Sequence, residues 1–209
     1  MTEPYYSDDH VTIYHGRCED VLPMVGGVGL ALTSPPYNLN GDGNNSKGTY
    51  FQNLATGYKS HSDDMPHAEY VAWQHSIVEA VWETLTEDGA IYYQHKPRVG
   101  GDRVLLPLEL IPAHIPIRQV VIWDRGSGFN RQFTYYVPRH EWILIAAKSS
   151  FRTNTRSVDD VWQIPFETGG EHPAPFPLKL ATKAIGTTDA TLVLDPFMGS
   201  GTTLRAAKD

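Results

Sequence analysis

An apolar run that stops on two prolines constrains this 209-residue chain more than any other feature. Residues 29–32 are apolar or glycine, and Thr33-Ser34-Pro35-Pro36-Tyr37 follows directly. Neither proline offers an N–H to a sheet ladder and each fixes φ, so the run reads as a buried strand ending in a rigid turn. Further β-rich runs lie at residues 11–14, 90–94, 119–123, 141–147 and 191–194. Between them, Tyr70, Val71, Trp73, Ile77, Val78, Val81, Trp82 and Leu85 recur at near-helical spacing, which predicts a helix over 67–85 closed by Glu87-Asp88-Gly89. A short helix closed by prolines is predicted over 104–113, and another over 178–185 ended by Gly186. Strands alternating with helices predict an α/β fold with a doubly wound, mostly parallel sheet.

In such sheets ligands bind at the carboxyl ends of the strands, which makes the turn a candidate site presenting Ser34 and Tyr37. The plain alternative is a Pro-Pro loop. Residues 38–66 are dense in Gly, Asn, Ser, Asp and Thr and are expected to form a long mobile loop beside that turn. The length suits one domain over 1–209, and 41% hydrophobic residues suffice for one core. A single cysteine, Cys18, excludes an internal disulfide and fits a reducing compartment. The acidic, polar N-terminus has no signal-peptide pattern and no window reaches membrane-spanning length, so a soluble cytoplasmic protein is expected. His61, His67 and His75 share no ligand spacing, and no metal is assigned.

The net charge of -7 hides a strong asymmetry. Residues 96–156 hold 10 Lys and Arg against 4 Asp and Glu, including Arg125, Arg131 and Arg139, whereas residues 1–95 hold 3 against 13. The middle segment is a candidate phosphate-facing surface on an otherwise acidic chain; scattered solvated charges are the alternative.

A second turn follows the last strand: Asp195-Pro196-Phe197-Met198-Gly199-Ser200-Gly201-Thr202-Thr203. Its two glycines let backbone amides approach a ligand at a helix N-terminus. A phosphate-cradling loop needs a lysine before the Ser/Thr, and none is present. A dinucleotide fingerprint needs a third glycine, which Leu204 to Ala206 do not supply. A tight strand-to-helix turn accounts for Gly199 and Gly201 but leaves Phe197 unexplained.

Together, Ser34-Pro35-Pro36-Tyr37 and Phe197-Met198-Gly199-Ser200-Gly201 resemble the catalytic and cofactor turns of S-adenosylmethionine-dependent DNA amino-methyltransferases. The catalytic turn precedes the cofactor turn, an order similar to the permuted β group of that family. Tyr14-His15-Gly16 with Val21-Leu22-Pro23 resembles the family's opening strand and loop, although Arg17 stands where Asp is common. The stretch from His172 to Pro177 resembles the segment over the cofactor's methionine portion, and Arg139-His140-Glu141 a block on the target-base side. The family continues through a further strand that ends in an acidic ribose-binding residue. The chain is therefore expected to be a truncated form with weakened cofactor binding.

The resemblance implies methyl transfer to the exocyclic amino group of a base flipped out of duplex DNA. Ser34, Pro35, Pro36 and Tyr37 are then the catalytic turn: Ser34 and the Pro35 carbonyl accept the amino hydrogens, and Tyr37 stacks on the base. Phe176, Asp195, Pro196, Phe197, Gly199, Ser200, Gly201 and Thr202 are the implied cofactor contacts, with Asp195 receiving the cofactor's ammonium. Asn38, Arg125, Arg131, Tyr135 and Arg139 are the candidate DNA contacts. Phe133, Tyr135 and Tyr136 are candidates for a second stacking wall or for core aromatics. In the family it resembles, serine at the head of the turn leans towards cytosine N4 and aspartate towards adenine N6, so cytosine is the expected target. Members of this group often pair, so a homodimer is an expectation. RNA or protein-amide methylation, and a non-catalytic DNA-binding fragment, are the competing readings.

Overall fold

A computed structural model describes residues 3–38, 64–100, 103–128, 133, 135–166 and 177–209. The first element is a small antiparallel hairpin of β1 (Tyr6–Ser7) and β2 (Thr12–Ile13), followed by the short helix α1 (Cys18–Val21). The run at 11–14 is thus a strand, but it pairs with its own neighbour and stays outside the main sheet. The proline-terminated run is β3 (Val28–Thr33), and the amphipathic stretch is α2 (His67–Thr84), running directly into β4 (Leu85–His95). A second hairpin, β5 (Arg98–Gly100) with β6 (Arg103–Leu105), leads to β7 (Ile117–Asp124), β8 (His140–Ala147) and β9 (Val161–Gln163). The chain closes with α3 (Leu178–Gly186), β10 (Val193–Leu194) and α4 (Thr202–Lys208).

Among the described residues six strands form one sheet, in the order β10-β3-β4-β8-β7-β9. β10, β3 and β4 are mutually parallel, β8 runs against both of its neighbours, and β9 is parallel to β7. Only β8 is reversed, so the sheet is mostly parallel as expected. Period-two alternation sends successive side chains to opposite faces. Leu30, Leu32, Tyr92, Ile143 and Ile145 face α3, packing against Leu180, Ala181 and Ala184. Ala31, Ile91, Tyr93, Leu144 and Ala146 face α2, packing against Tyr70, Ile77, Val78 and Val81. Helices on both faces make the architecture doubly wound.

One prediction needs correction. The helix expected over 104–113 is absent: Arg103–Leu105 pairs with Arg98–Gly100, and only Pro107–Leu110 turns, as a 3-10 helix. Pro107 and Pro112 leave too few residues between them for an α-helix to propagate. β9 is a strand absent from the sequence reading, although Trp162 within it and Ile164 just past its end alternate into the core. Gly89 marks a close backbone approach between β3 and β4, because a Cβ there would stand 2.8 Å from the Val28 carbonyl oxygen and 3.0 Å from Leu85 Cβ. The register between β3 and β4 shifts at that point.

Candidate active site

The proline turn begins where β3 leaves the sheet. Pro35 and Pro36 are buried, while Ser34 and Tyr37 are half-buried. The turn is fixed from two sides. On the α2 face, Tyr70 donates its hydroxyl to the Pro36 carbonyl at 2.6 Å and lies 3.0 Å from His95 Nε2. His95 Nδ1 faces the Lys96 carbonyl at 2.9 Å, which places the ring N–H on that atom because a carbonyl only accepts. Burial, reinforced by the charges of Arg98 and Lys96, pushes His95 down to about 3, so the ring is neutral.

The second anchor is the Tyr37 hydroxyl. Its ring tilts against His95 at 4.4 Å, and its oxygen lies 2.8 Å from Gln94 Oε1, 2.9 Å from Glu141 Oε2 and 3.4 Å from Ser34 Oγ. Gln94 and His95 point to opposite faces of β4, so Tyr37 lies across the end of that strand. Burial and the neighbouring Glu141 charge hold the phenol well above its ordinary pKa, which keeps it a hydrogen-bond donor. Glu141 also accepts from Gln94 Nε2 and pairs with Arg125 at 3.0 Å. Sequence reading missed Tyr70, Gln94 and His95, and gave Glu141 no role of its own. The available signal was a polar pair ending an apolar strand, and a carboxylate opening another.

The second turn leaves β10, the strand beside β3. Gly199 and Gly201 adopt φ of 51° and 83°, conformations that a side chain resists, so the backbone turns back tightly before α4. Asp195 is half-buried on the cleft wall and organises this turn: Oδ1 accepts the Phe197 N–H at 3.0 Å and Oδ2 the Thr203 hydroxyl at 2.6 Å. Burial pushes its carboxyl group up to about 6 against the pull of those two donors. Phe197 is half-buried and meets Trp73 edge-on at 5.6 Å. One cleft of about 1400 Å³ joins the two turns, lined by Ser34 and Pro36 on one side and by Asp195 through Ser200 with Thr202 on the other. Glu19 and Trp73 also line it, bonded to each other at 3.0 Å. An acidic cleft with aromatic walls suits a cationic, partly aromatic ligand.

The candidate DNA residues fall differently. Asn38 has left-handed backbone (φ 52°) and is 1% exposed, with its amide on the Met65 carbonyl and its own carbonyl held by Arg98. Arg125 turns inward, spending all three guanidinium nitrogens on Glu141, the Pro138 carbonyl and the Arg139 carbonyl. Arg139 pairs with Asp124 through two bonds yet keeps its side chain 56% exposed. Phe133 and Tyr136 project fully into solvent, and Tyr135 is half-buried. Phe176, Arg131 and nearly all of the 38–66 loop lie outside the described residues. The basic segment also splits in space. Arg118 and Lys148 sit at the far end of the β7–β8 pair, where Arg118 binds carbonyls at 148 and 151 and Lys148 covers the Trp82 ring at 4.2 Å. Among the described residues no helix is long and apolar enough to cross a membrane.

A type II methyltransferase of Moraxella bovis, M2.MboI, is 27% identical over 96% of this chain and 81% of its own length. M.ScaI of Streptomyces caespitosus is 25% identical over 100% of this chain and 77% of its own length. Among solved structures, the cytosine-N4-specific PvuII DNA methyltransferase superposes with a TM-score of 0.74 at 19% identity, covering 99% of this chain and 81% of that one. A DNA modification methylase of Thermus thermophilus, solved with S-adenosyl-L-methionine, superposes with a TM-score of 0.59 at 21% identity, over 91% of this chain and 82% of that one. These likenesses confirm the Rossmann-like methyltransferase fold. A sequence profile described as DNA methylase matches residues 28–209, which spans both turns and every strand of the main sheet, and the chain belongs to this family of N6/N4 amino-group DNA methyltransferases.

Proposed function

We propose that this chain binds S-adenosylmethionine in the cleft between the two turns and methylates the N4 amino group of a cytosine flipped out of duplex DNA. The observation that carries the reading is the shared cleft: Ser34 and Pro36 face the same space as Asp195 to Ser200. When bound, S-adenosylmethionine supplies an electrophilic methyl group on a sulfonium centre. The residues that would hold it are Asp195, for the ammonium, and the backbone of Phe197 to Gly201, with Trp73 and Phe197 as apolar walls.

The catalytic turn performs a different task. An exocyclic amino nitrogen is a poor nucleophile because its lone pair is delocalised into the base. Two acceptors that each take one amino hydrogen favour a pyramidal nitrogen with its lone pair free. Tyr70 occupies the Pro36 carbonyl, so Ser34 Oγ and the Pro35 carbonyl are assigned to this task. Rigidity matters because a displacement of about 1 Å costs on the order of 100-fold in rate. Two prolines and two tyrosine hydroxyls supply that rigidity. On the DNA side, Arg139, Tyr135 and the exposed Phe133 and Tyr136 lie on the connection between β7 and β8, which leaves the sheet at the edge that carries the turn. Serine at position 34 favours cytosine as the target. Duplex DNA incubated with the protein and S-adenosylmethionine, then digested to nucleosides, yields N4-methylcytosine by mass spectrometry. N6-methyladenine in its place corrects the base, and methylated RNA without methylated DNA refutes the reading.

A further inference from the structure

We infer that Glu141, with Gln94 and Arg125, is a positioning device that seats the Tyr37 hydroxyl and so sets the orientation of the methyl-accepting turn. The inference rests on the methyltransferase reading and adds to it residues outside both turns. Glu141 shares a strand face with Ile143 and Ile145, and the latter two are core residues 0% and 5% exposed. An apolar side chain at 141 would extend that row. A carboxylate there, only 6% exposed, is costly to desolvate unless every oxygen finds donors.

Those donors are specific. Glu141 Oε2 faces the Tyr37 hydroxyl at 2.9 Å and accepts from Gln94 Nε2, while Oε1 takes Arg125 Nη1 at 3.0 Å. Gln94 in turn offers its Oε1 to the same tyrosine hydroxyl at 2.8 Å. Arg125 reaches onward to the carbonyls of Pro138 and Arg139, the residues that lead into β8. The arrangement ties Tyr37, three residues from Ser34, to two strands at once. It also gives Arg125 a part distinct from phosphate contact, because its guanidinium donors are directed inward.

The test compares Tyr37→Phe, Glu141→Ala, Glu141→Gln and Arg125→Ala in methyl transfer to duplex DNA at saturating cofactor, with folded protein quantified by near-ultraviolet circular dichroism. Glu141→Ala is expected to lower kcat roughly ten-fold or more, while the affinity for S-adenosylmethionine stays within about two-fold. Glu141→Gln keeps an acceptor for Tyr37 and recovers most of kcat. Tyr37→Phe removes only the seated hydroxyl and falls by a similar factor, and combining it with Glu141→Ala adds little because both break one contact. Arg125→Ala lowers kcat more than it raises the KM for DNA, the reverse of a phosphate contact. Wild-type kcat in Tyr37→Phe, or full multiplication of the two losses, overturns the proposal even if the alanine variant fails to fold. A wild-type protein that transfers no methyl to DNA instead refutes the functional reading beneath it.

Discussion

Asp195 gives two opposite pH dependences that can be measured on one sample. Its carboxyl group is pushed up to about 6, above the usual 3.8, chiefly by burial. The folded protein therefore holds that proton more tightly than the unfolded chain does. The group's contribution to stability is unfavourable above about pH 6 and is relieved as the pH falls towards 4. With the ammonium of S-adenosylmethionine seated on Asp195, as proposed above, cofactor binding has the opposite sign, because the ionised carboxylate attracts the cation. Below about pH 7 an α-ammonium stays charged, so within that window the protein's own proton governs the affinity. For a group titrating at about 6, affinity falls by a factor of roughly ten between about pH 7 and pH 5. Isothermal titration calorimetry at both values, alongside thermal unfolding of the free protein, reads the two signs separately. Glu19, Asp8, Asp9, His10, His15 and Arg17 also line the cleft, and Asp195→Asn subtracts their contribution. That variant is expected to bind more weakly at pH 7 and to lose most of the slope. A wild-type affinity that is flat between the two values, or a variant that retains the full slope, refutes the assignment of Asp195 to the ammonium.

Three further outcomes follow from local geometry. Thr203→Val removes the 2.6 Å hydrogen bond that favours the ionised carboxylate, so the midpoint of pH-dependent cofactor binding moves upward from about 6 in the same calorimetric series. Tyr70→Phe leaves the Pro36 carbonyl without its hydroxyl donor, and a buried orphan of that kind costs about 1–3 kcal/mol in thermal or urea unfolding. Gly89→Ala drives a Cβ to 2.8 Å from the Val28 carbonyl oxygen and destabilises the β3–β4 pair by about 1–3 kcal/mol, with cofactor affinity per folded molecule unchanged.

The two turns were legible because their chemistry is local. Proline and glycine restrict or release φ at the residue itself, so Pro35, Pro36, Gly199 and Gly201 report backbone shape without knowledge of the fold. The strand at 28–33 and the helix at 67–84 were legible for the related reason that period sets burial. Long-range pairing was not. Val104 and Leu105 looked like the start of a helix because the partner of their strand, Arg98–Gly100, is named only by tertiary contact. The charge block at 96–156 looked like one surface because sequence does not say that β7 and β8 run antiparallel, which carries Arg118 and Lys148 to the end opposite Arg125 and Arg139. Arg125 was legible as a basic residue near the site. That its guanidinium faces Glu141 was not, since the carboxylate is brought to it by strand pairing.

The reversed strand explains why the site gathers where it does. β3, β4, β7 and β10 all end at one edge of the sheet, and in a purely parallel sheet only their carboxyl ends contribute there. Ser34, Gln94, His95, Asp124 and Asp195 arrive in this way. β8 runs the other way, so its first residues, His140 and Glu141, reach the same edge. A parallel strand in that place would present the end of an apolar run, near Ala147, and the Tyr37 hydroxyl would meet no carboxylate. The antiparallel insertion thus supplies a chemical group that the parallel part of the sheet does not deliver to this edge between β4 and β7. It also fixes where substitutions matter: a polar change at the start of β8 acts on the turn, whereas one at its end, near Lys148, acts on packing against Trp82.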